Sequence, residues 1–151
     1  MSIKVAFASD HGGYALKQFL ISQLKDRVEV VDCGTNDATT SVDYPDFAEA
    51  GCQKVLSGEC KYAILVCGTG IGISIAANKM NGIRCALCHN EYEAEMTRRH
   101  NNANCCALGG RVTGDQLALN IVNRFLDTEF EGGRHQKRID KIAEIEKKQK
   151  K

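Results

Sequence analysis

The sequence predicts an α/β fold: a doubly wound sheet of five parallel strands in a three-layer αβα sandwich, with one further helix at the C-terminus. Two observations carry that expectation. Short apolar runs alternate five times with segments of helical periodicity, and glycine-rich turns follow three of the runs, at 9–13, 67–72 and 109–111. Crossovers between parallel strands are right-handed as a rule. With 151 residues and no long linker, repeat or low-complexity stretch, the chain is expected to form one domain over 1–151, with 131–151 as the extra helix and basic tail.

Residues 3–8, IKVAFA, form an unbroken apolar run suited to a central strand covered on both faces. The helix after it reaches about residue 25, with Leu16, Phe19, Leu20 and Leu24 on one stripe. A second strand covers 28–32 and a polar loop 33–42; a helix is predicted over 47–56, with Asp46 and Glu49 at capping-box spacing. The third strand, 63–67, runs into the turn GTGIG and a helix to about residue 80. Asn81 and Gly82 turn the chain into a fourth strand over 83–88. Asn90 and Glu93 then cap a helix ending near Arg99 and His100, and Thr113 and Gln116 are spaced to cap another after a fifth strand, 105–108. The last helix carries Ile139, Ile142 and Ile145 on a stripe too narrow to anchor it well on its own domain, so it is expected to reach a partner subunit.

The stretch from Tyr62 to Met80 is where chemistry is expected. Three glycines in five residues let the backbone turn sharply after the strand, and the amides of the following helix then face the turn. Cys67 ends the strand beside that positive potential, which favours a thiolate. A cysteine there is either a small buried hydrophobe or a base next to an oxyanion site. The dinucleotide fingerprint fails because Ile73 stands where its third glycine belongs, and the Lys-Ser/Thr ending of a phosphate loop is missing, which argues against NAD and ATP. Asp10 and His11 follow the first strand, at the same sheet edge as Cys67; each is a turn residue or a site residue. His100, Asn101, Asn102 and Asn104 make a polar cluster, in which His100 serves either the helix dipole or the site. Arg134 and Arg138 are four apart on one helical face, and with Arg111 they suit a phosphate dianion, unless they are a solvated basic face. Tyr44 faces the site or staples its helix.

Charge is nearly balanced, 20 Lys and Arg against 19 Asp and Glu, so nothing points to nucleic acid or a membrane surface. Residues 134–151 hold eight Lys or Arg against three acids, and the 147–151 end reads as a solvated basic face. Eight cysteines without a signal-peptide pattern point to a reducing cytoplasm rather than a disulfide scaffold. Cys85 and Cys88 form a CxxC on a predicted strand, where residues three apart face opposite sides, so no zinc site is expected.

Five segments, ASDHGG at 8–13, DYPDFA at 43–48, CGTGIGISIAANK at 67–79, RHNNAN at 99–104 and GGR at 109–111, resemble the type B ribose-5-phosphate isomerases. The resemblance covers nearly the whole chain. It implies a Rossmann-like sheet and interconversion of D-ribose 5-phosphate and D-ribulose 5-phosphate without metal or cofactor, in a homodimer, or a tetramer, with shared sites. Family members that lack the cysteine place a glutamate where Ile73 stands, so this chain resembles the cysteine branch. Cys67 then corresponds to the base moving a proton between C2 and C1, Thr69 to its helper, and Gly68, Thr69, Gly70, Ile71 and Gly72 to the anion hole for the enediolate. His100 corresponds to the group that opens the sugar ring, with Asn101 beside it. Asp10 and His11 correspond to sugar and phosphate contacts, joined by Arg111, Arg134 and Arg138. The alternatives are a six-carbon phosphosugar, such as allose 6-phosphate or galactose 6-phosphate, and a non-catalytic module binding a phosphorylated ligand.

Overall fold

The structure, a computed structural model, describes residues 2–149; Lys150 and Lys151 of the expected basic face lie outside them. Five strands, β1 (Lys4–Ser9), β2 (Glu29–Asp32), β3 (Tyr62–Cys67), β4 (Cys85–Leu87) and β5 (Cys105–Gly109), pair in the order β2-β1-β3-β5-β4, every pair parallel. The helices are α1 (Tyr14–Leu24), α2 (Tyr44–Leu56), α3 (Ile71–Ala77), α4 (Glu91–Asn101), α5 (Asp115–Asp127) and α6 (Arg134–Gln149), and His11–Gly13 forms a 3-10 turn. The Rossmann-like α/β expectation holds.

Alternation along the strands divides the core in two. Val5, Phe7, Ile64, Val66 and Leu108 face Leu16, Leu20 and Leu24 of α1 and Ile121, Val122 and Phe125 of α5. The opposite face is built from smaller groups, Ala6, Ala8, Ala63, Cys67, Cys105 and Ala107, and takes α2 and α3. Small side chains let α2 approach closely: a methyl on Gly51 would stand 2.9 Å from Leu65 Cδ2. Cys85 packs against that face and Cys88 lies in the other cluster, so the CxxC thiols are parted as the strand reading requires.

The chain leaves β1 toward β2 on one side while β3 lies on the other, so the topology opens a crevice at the carboxyl ends of β1 and β3. Because all strands run one way, each helix that follows a strand returns to the opposite, amino-terminal edge. The last turns of α4 and α5, and the start of α6, therefore lie at that far edge.

Two predicted caps do not form. Helix α2 starts at Tyr44, earlier than expected, with Asp43 as a cap that makes no side-chain bond and Pro45 in the first turn, where its missing N–H costs nothing. That start puts Asp46 and Glu49 inside the helix. Helix α5 is capped by Gly114, while Thr113 N–H closes the preceding turn on Gly109 O (2.9 Å). The Asn90 cap is present: its Oδ1 accepts from Glu93 N–H (2.8 Å), and Glu93 reaches back to His89 N–H (2.6 Å). Strand β4 is shorter than predicted, because Asn104 and Asn78 side chains take the amides of Arg84 and Cys85 (both 2.8 Å).

Helix α6 lies on α4 of its own chain, burying His135 and Ile139, and Glu146 accepts from Gly82 N–H at 3.2 Å. Ile142 and Ile145 stay 48% and 60% exposed. Among the described residues, no helix is long and apolar enough to cross a membrane.

Candidate active site

Three strand-end turns meet in the crevice. The β1 turn is pinned by Asp10, whose carboxylate accepts from Gly13 N–H at 3.0 Å, and by Asp10 N–H on Val66 O at 3.3 Å. It lies so close to β3 that a methyl on Gly13 would sit 2.3 Å from Val66 O. His11 Nδ1 accepts from Val42 N–H at 3.2 Å, which assigns the ring proton to Nε2 and leaves it as a donor. From the β5 turn, Gly110 N–H bonds Cys67 O (2.8 Å) and Arg111 N–H bonds Gly68 O (2.9 Å). The Arg111 guanidinium lies across both other turns: methyls on Gly12 and Gly68 would meet it at 3.3 and 3.0 Å. Asp10, His11, Cys67, Gly68 and Arg111 thus share one site.

Within the β3 turn, Gly70 adopts φ +80°, a conformation that favours glycine, and aims its N–H at Cys67 Sγ, 3.1 Å away. That bond strengthens as the sulfur becomes anionic. Thr69 Oγ1 accepts from Ile71 N–H (3.2 Å), so its hydroxyl hydrogen remains available to donate. Two of the expected anion-hole amides, those of Gly70 and Ile71, are thereby committed to the turn itself. Helix geometry leaves Gly72 and Ile73 N–H without an intrahelical acceptor, so the amides free to meet an anion lie toward Gly72. Tyr44 rims this turn, since a methyl on Gly72 would stand 2.6 Å from its Cζ.

Burial pushes Cys33, Cys60 and Cys85 up, and hydrogen bonding to Cys52 and Cys88, with burial, raises Cys105 and Cys106 in turn. All eight cysteines are unpaired.

The remaining predicted residues form a second group. His100 and Asn101 end α4, and Arg134 and Arg138 start α6, all at the amino-terminal edge. At about 3.3 Å per residue, the five residues of β5 separate the two edges by roughly 16 Å. Among the described residues, no hydrogen bond or ion pair connects the groups. His100 stacks on His135, centroids 4.2 Å apart and planes at 14°. Arg98, 4% exposed, locks this end of α4 by donating to Asn102 Oδ1 and Ala103 O (both 2.8 Å) and to Thr128 O (3.1 Å). His100, Glu131 and His135 bring ligand atoms within 4.8 Å of one another. Stacked rings nevertheless put any ion between them out of both ring planes, which does not suit imidazole coordination to one tetrahedral centre.

Sequence reasoning missed Lys17, a fully buried lysine that donates to Asp32 Oδ1 at 2.6 Å and Thr35 O at 2.9 Å. Gly34 and Thr35 in turn exchange backbone bonds with Ser9 (both 2.8 Å), so Lys17 braces the turn carrying Asp10 and His11. Its spacing from Leu20 and Leu24, three and seven residues, was the available signal. His135 and Glu131 were missed too, and nothing in their local spacing marks them.

A family model described as Ribose/Galactose Isomerase matches residues 5–142. Ribose-5-phosphate isomerase B of Escherichia coli (strain K12) is 46% identical over 146 residues, covering 96% of this chain and 97% of that protein. The solved ribose-5-phosphate isomerase B of Clostridium thermocellum superposes with a TM-score of 0.96 at 55% identity, covering 98% of this chain and 100% of that one. The Mycoplasma genitalium enzyme, solved with bound ribulose-5-phosphate, gives 0.91 at 45%, covering 97% and 98%. Likeness in sequence and in fold over nearly the whole chain establishes that the chain belongs to the ribose/galactose isomerase family.

Proposed function

We propose that this chain interconverts D-ribose 5-phosphate and D-ribulose 5-phosphate as an aldose-ketose isomerase. The observation that carries the reading is Cys67 Sγ held under the Gly70 amide in the strand-end turn, with Arg111 and His11 alongside. Likeness to an isomerase solved with ribulose-5-phosphate supports the substrate.

The two-edge arrangement supports a homodimer. One chain places its base and its ring-opening histidine at opposite edges of the sheet, so neither completes a site alone. An isologous pair repairs this, setting His100, Asn101, Arg134 and Arg138 of one subunit against the Cys67 crevice of the other, twice over. The exposed Ile142 and Ile145 of α6 suit burial in such an interface. Unpaired thiols throughout fit a cytoplasmic location.

In this reading Arg111, Arg134 and Arg138, with His11, hold the phosphate, and remote binding energy positions the reacting carbons. Asp10 contacts the sugar. His100 gives a proton to the ring oxygen and takes one from the C1 hydroxyl, which opens the furanose to the aldehyde; Asn101 orients it. Cys67 thiolate removes the C2 proton, and charge gathers on the C1 oxygen of an enediolate held by the Gly72 end of the turn. Cys67 returns the proton to C1 while Thr69 moves a proton between the two oxygens, giving the ketose. A general base contributes about 10²- to 10⁴-fold.

The test is turnover of D-ribose 5-phosphate with chelator present, beside allose 6-phosphate and galactose 6-phosphate, for wild type and Cys67→Ala. Conversion of the pentose that falls at least about 10²-fold in Cys67→Ala is expected. Activity on a hexose phosphate alone moves the substrate. Binding without turnover of any sugar replaces the enzyme by a binding module.

A further inference from the structure

Ring opening, as assigned above, uses one member of a three-residue cluster and leaves two unexplained. His135 is 4% exposed, and its Nε2 is buried without a hydrogen-bond partner among the described residues. Glu131 Oε1 lies 3.4 Å from that nitrogen without forming a hydrogen bond to it. A polar ring buried this way is costlier than leucine or phenylalanine in the same space, so packing alone does not account for it. What the ring does touch is His100, face to face across 4.2 Å. Glu131 is itself held from behind. Its other oxygen meets Arg99 Nη1 at 3.0 Å, its amide donates to Arg99 O at 3.1 Å, and Arg99 is fixed by Glu95 at 2.9 Å.

We infer that His135 is a positioning residue for ring opening: its buried face is the bed that fixes the plane of His100, and Glu131 with Arg99 keeps that bed in place. The inference rests on the reading of His100 as the ring-opening group. Opening a furanose requires one imidazole to address two oxygens on the same side of the sugar, so a ring free to tip loses reach to one of them. A misplacement of about 1 Å costs as much as about 10²-fold. The charged groups around the pair are Arg99 from α4, Glu131 from the preceding loop, and Arg134 and Arg138 from α6. Burial, then the positive fields of His100 and Arg134, hold His135 below the ordinary histidine range. That disfavours a proton on His135, whose part is to pack against His100.

His135→Leu fills the space but offers no flat face, whereas His135→Phe restores the face without the nitrogens. The key readout separates two steps. D-ribulose 5-phosphate carries its phosphate on O5 and stays open-chain, so exchange of its C1 proton with solvent deuterium requires Cys67 but no ring opening. His135→Leu is expected to lower conversion of D-ribose 5-phosphate about 10- to 100-fold while leaving that exchange at the wild-type rate, and His135→Phe to recover most of the loss. Unchanged conversion in His135→Leu, an equal fall in conversion and exchange, or no recovery with phenylalanine would each overturn the inference. His100→Asn run in parallel keeps the two readings apart. Impaired conversion there with an unaffected His135→Leu refutes only the positioning role, whereas full conversion in His100→Asn removes the ring-opening assignment itself.

Discussion

Replacing Gly70 by alanine strikes the β3 turn where conformation and chemistry coincide. At φ +80° an L-residue carries about 1 to 2 kcal/mol of strain. Its new methyl would also meet Leu87 Cδ1 at 2.7 Å, the Leu108 carbonyl carbon at 2.8 Å and Gly109 N at 3.0 Å. Leu87 can rotate away. The β5 backbone cannot, because it is paired to β3 through Val66 and Cys67, so the turn must move by about half an ångström. Overpacking of that kind adds about 1 to 3 kcal/mol, for a total of about 2 to 5. A domain of ordinary stability, about 5 to 15 kcal/mol, survives that loss and still folds. The same shift draws Gly70 N–H away from Cys67 Sγ, and turnover is expected to fall about 10- to 100-fold. Urea denaturation and initial rates with D-ribose 5-phosphate measure the two effects. Gly58→Ala is the control: Gly58 has φ +85° with nothing within 4 Å of an added methyl, so it isolates the strain and lies away from the crevice. If Gly70→Ala matches Gly58→Ala in both midpoint and rate, the reasoning about the turn is wrong.

Lys17→Met keeps the apolar stem but leaves Thr35 O and Asp32 without their buried cation; since Asp32 is 38% exposed and water can take part of its place, a loss of about 1.5 to 3 kcal/mol in urea unfolding is expected. A midpoint equal to wild type would show that Lys17 does not brace the β1 turn. Mixing inactive Cys67→Ala chains with inactive Arg138→Ala chains should restore activity, to about a quarter of wild type if subunits pair at random and only sites with both halves intact work. Verified mixed dimers without recovery would place both halves in one chain.

Much of this fold is legible because β1, β3 and β5 are apolar runs followed by glycine turns, and burial on both faces forces the apolar pattern. Strand order is a different matter. Helix α3 carries the chain past the place that β5 later fills, and nothing local to 71–88 distinguishes that crossing from a step to the adjacent position. The misread caps share one cause: capping-box spacing recurs by chance, and at α2 a proline in the first turn decided the start instead. At the site, Cys67, Gly70 and Arg111 were readable because glycine turns announce close backbone approach. His135 was not, since its importance lies in the ring stacked upon it from another helix. Lys17 shows the remaining gap: a lysine on an apolar stripe looks like interruption until a carboxylate from a different strand is found beside it.

The strand length that parts the two edges has a consequence for the living cell. On the dimer reading, a newly made chain is chemically silent however well it has folded, because its own sheet acts as a spacer between the tools it carries. Output then follows the square of chain abundance while pairs are scarce and becomes linear once they saturate. A gene-level change in expression would be amplified at the low end. A chain spoiled in one half, when mixed with intact chains, would disable one workplace of each pair and leave the other running.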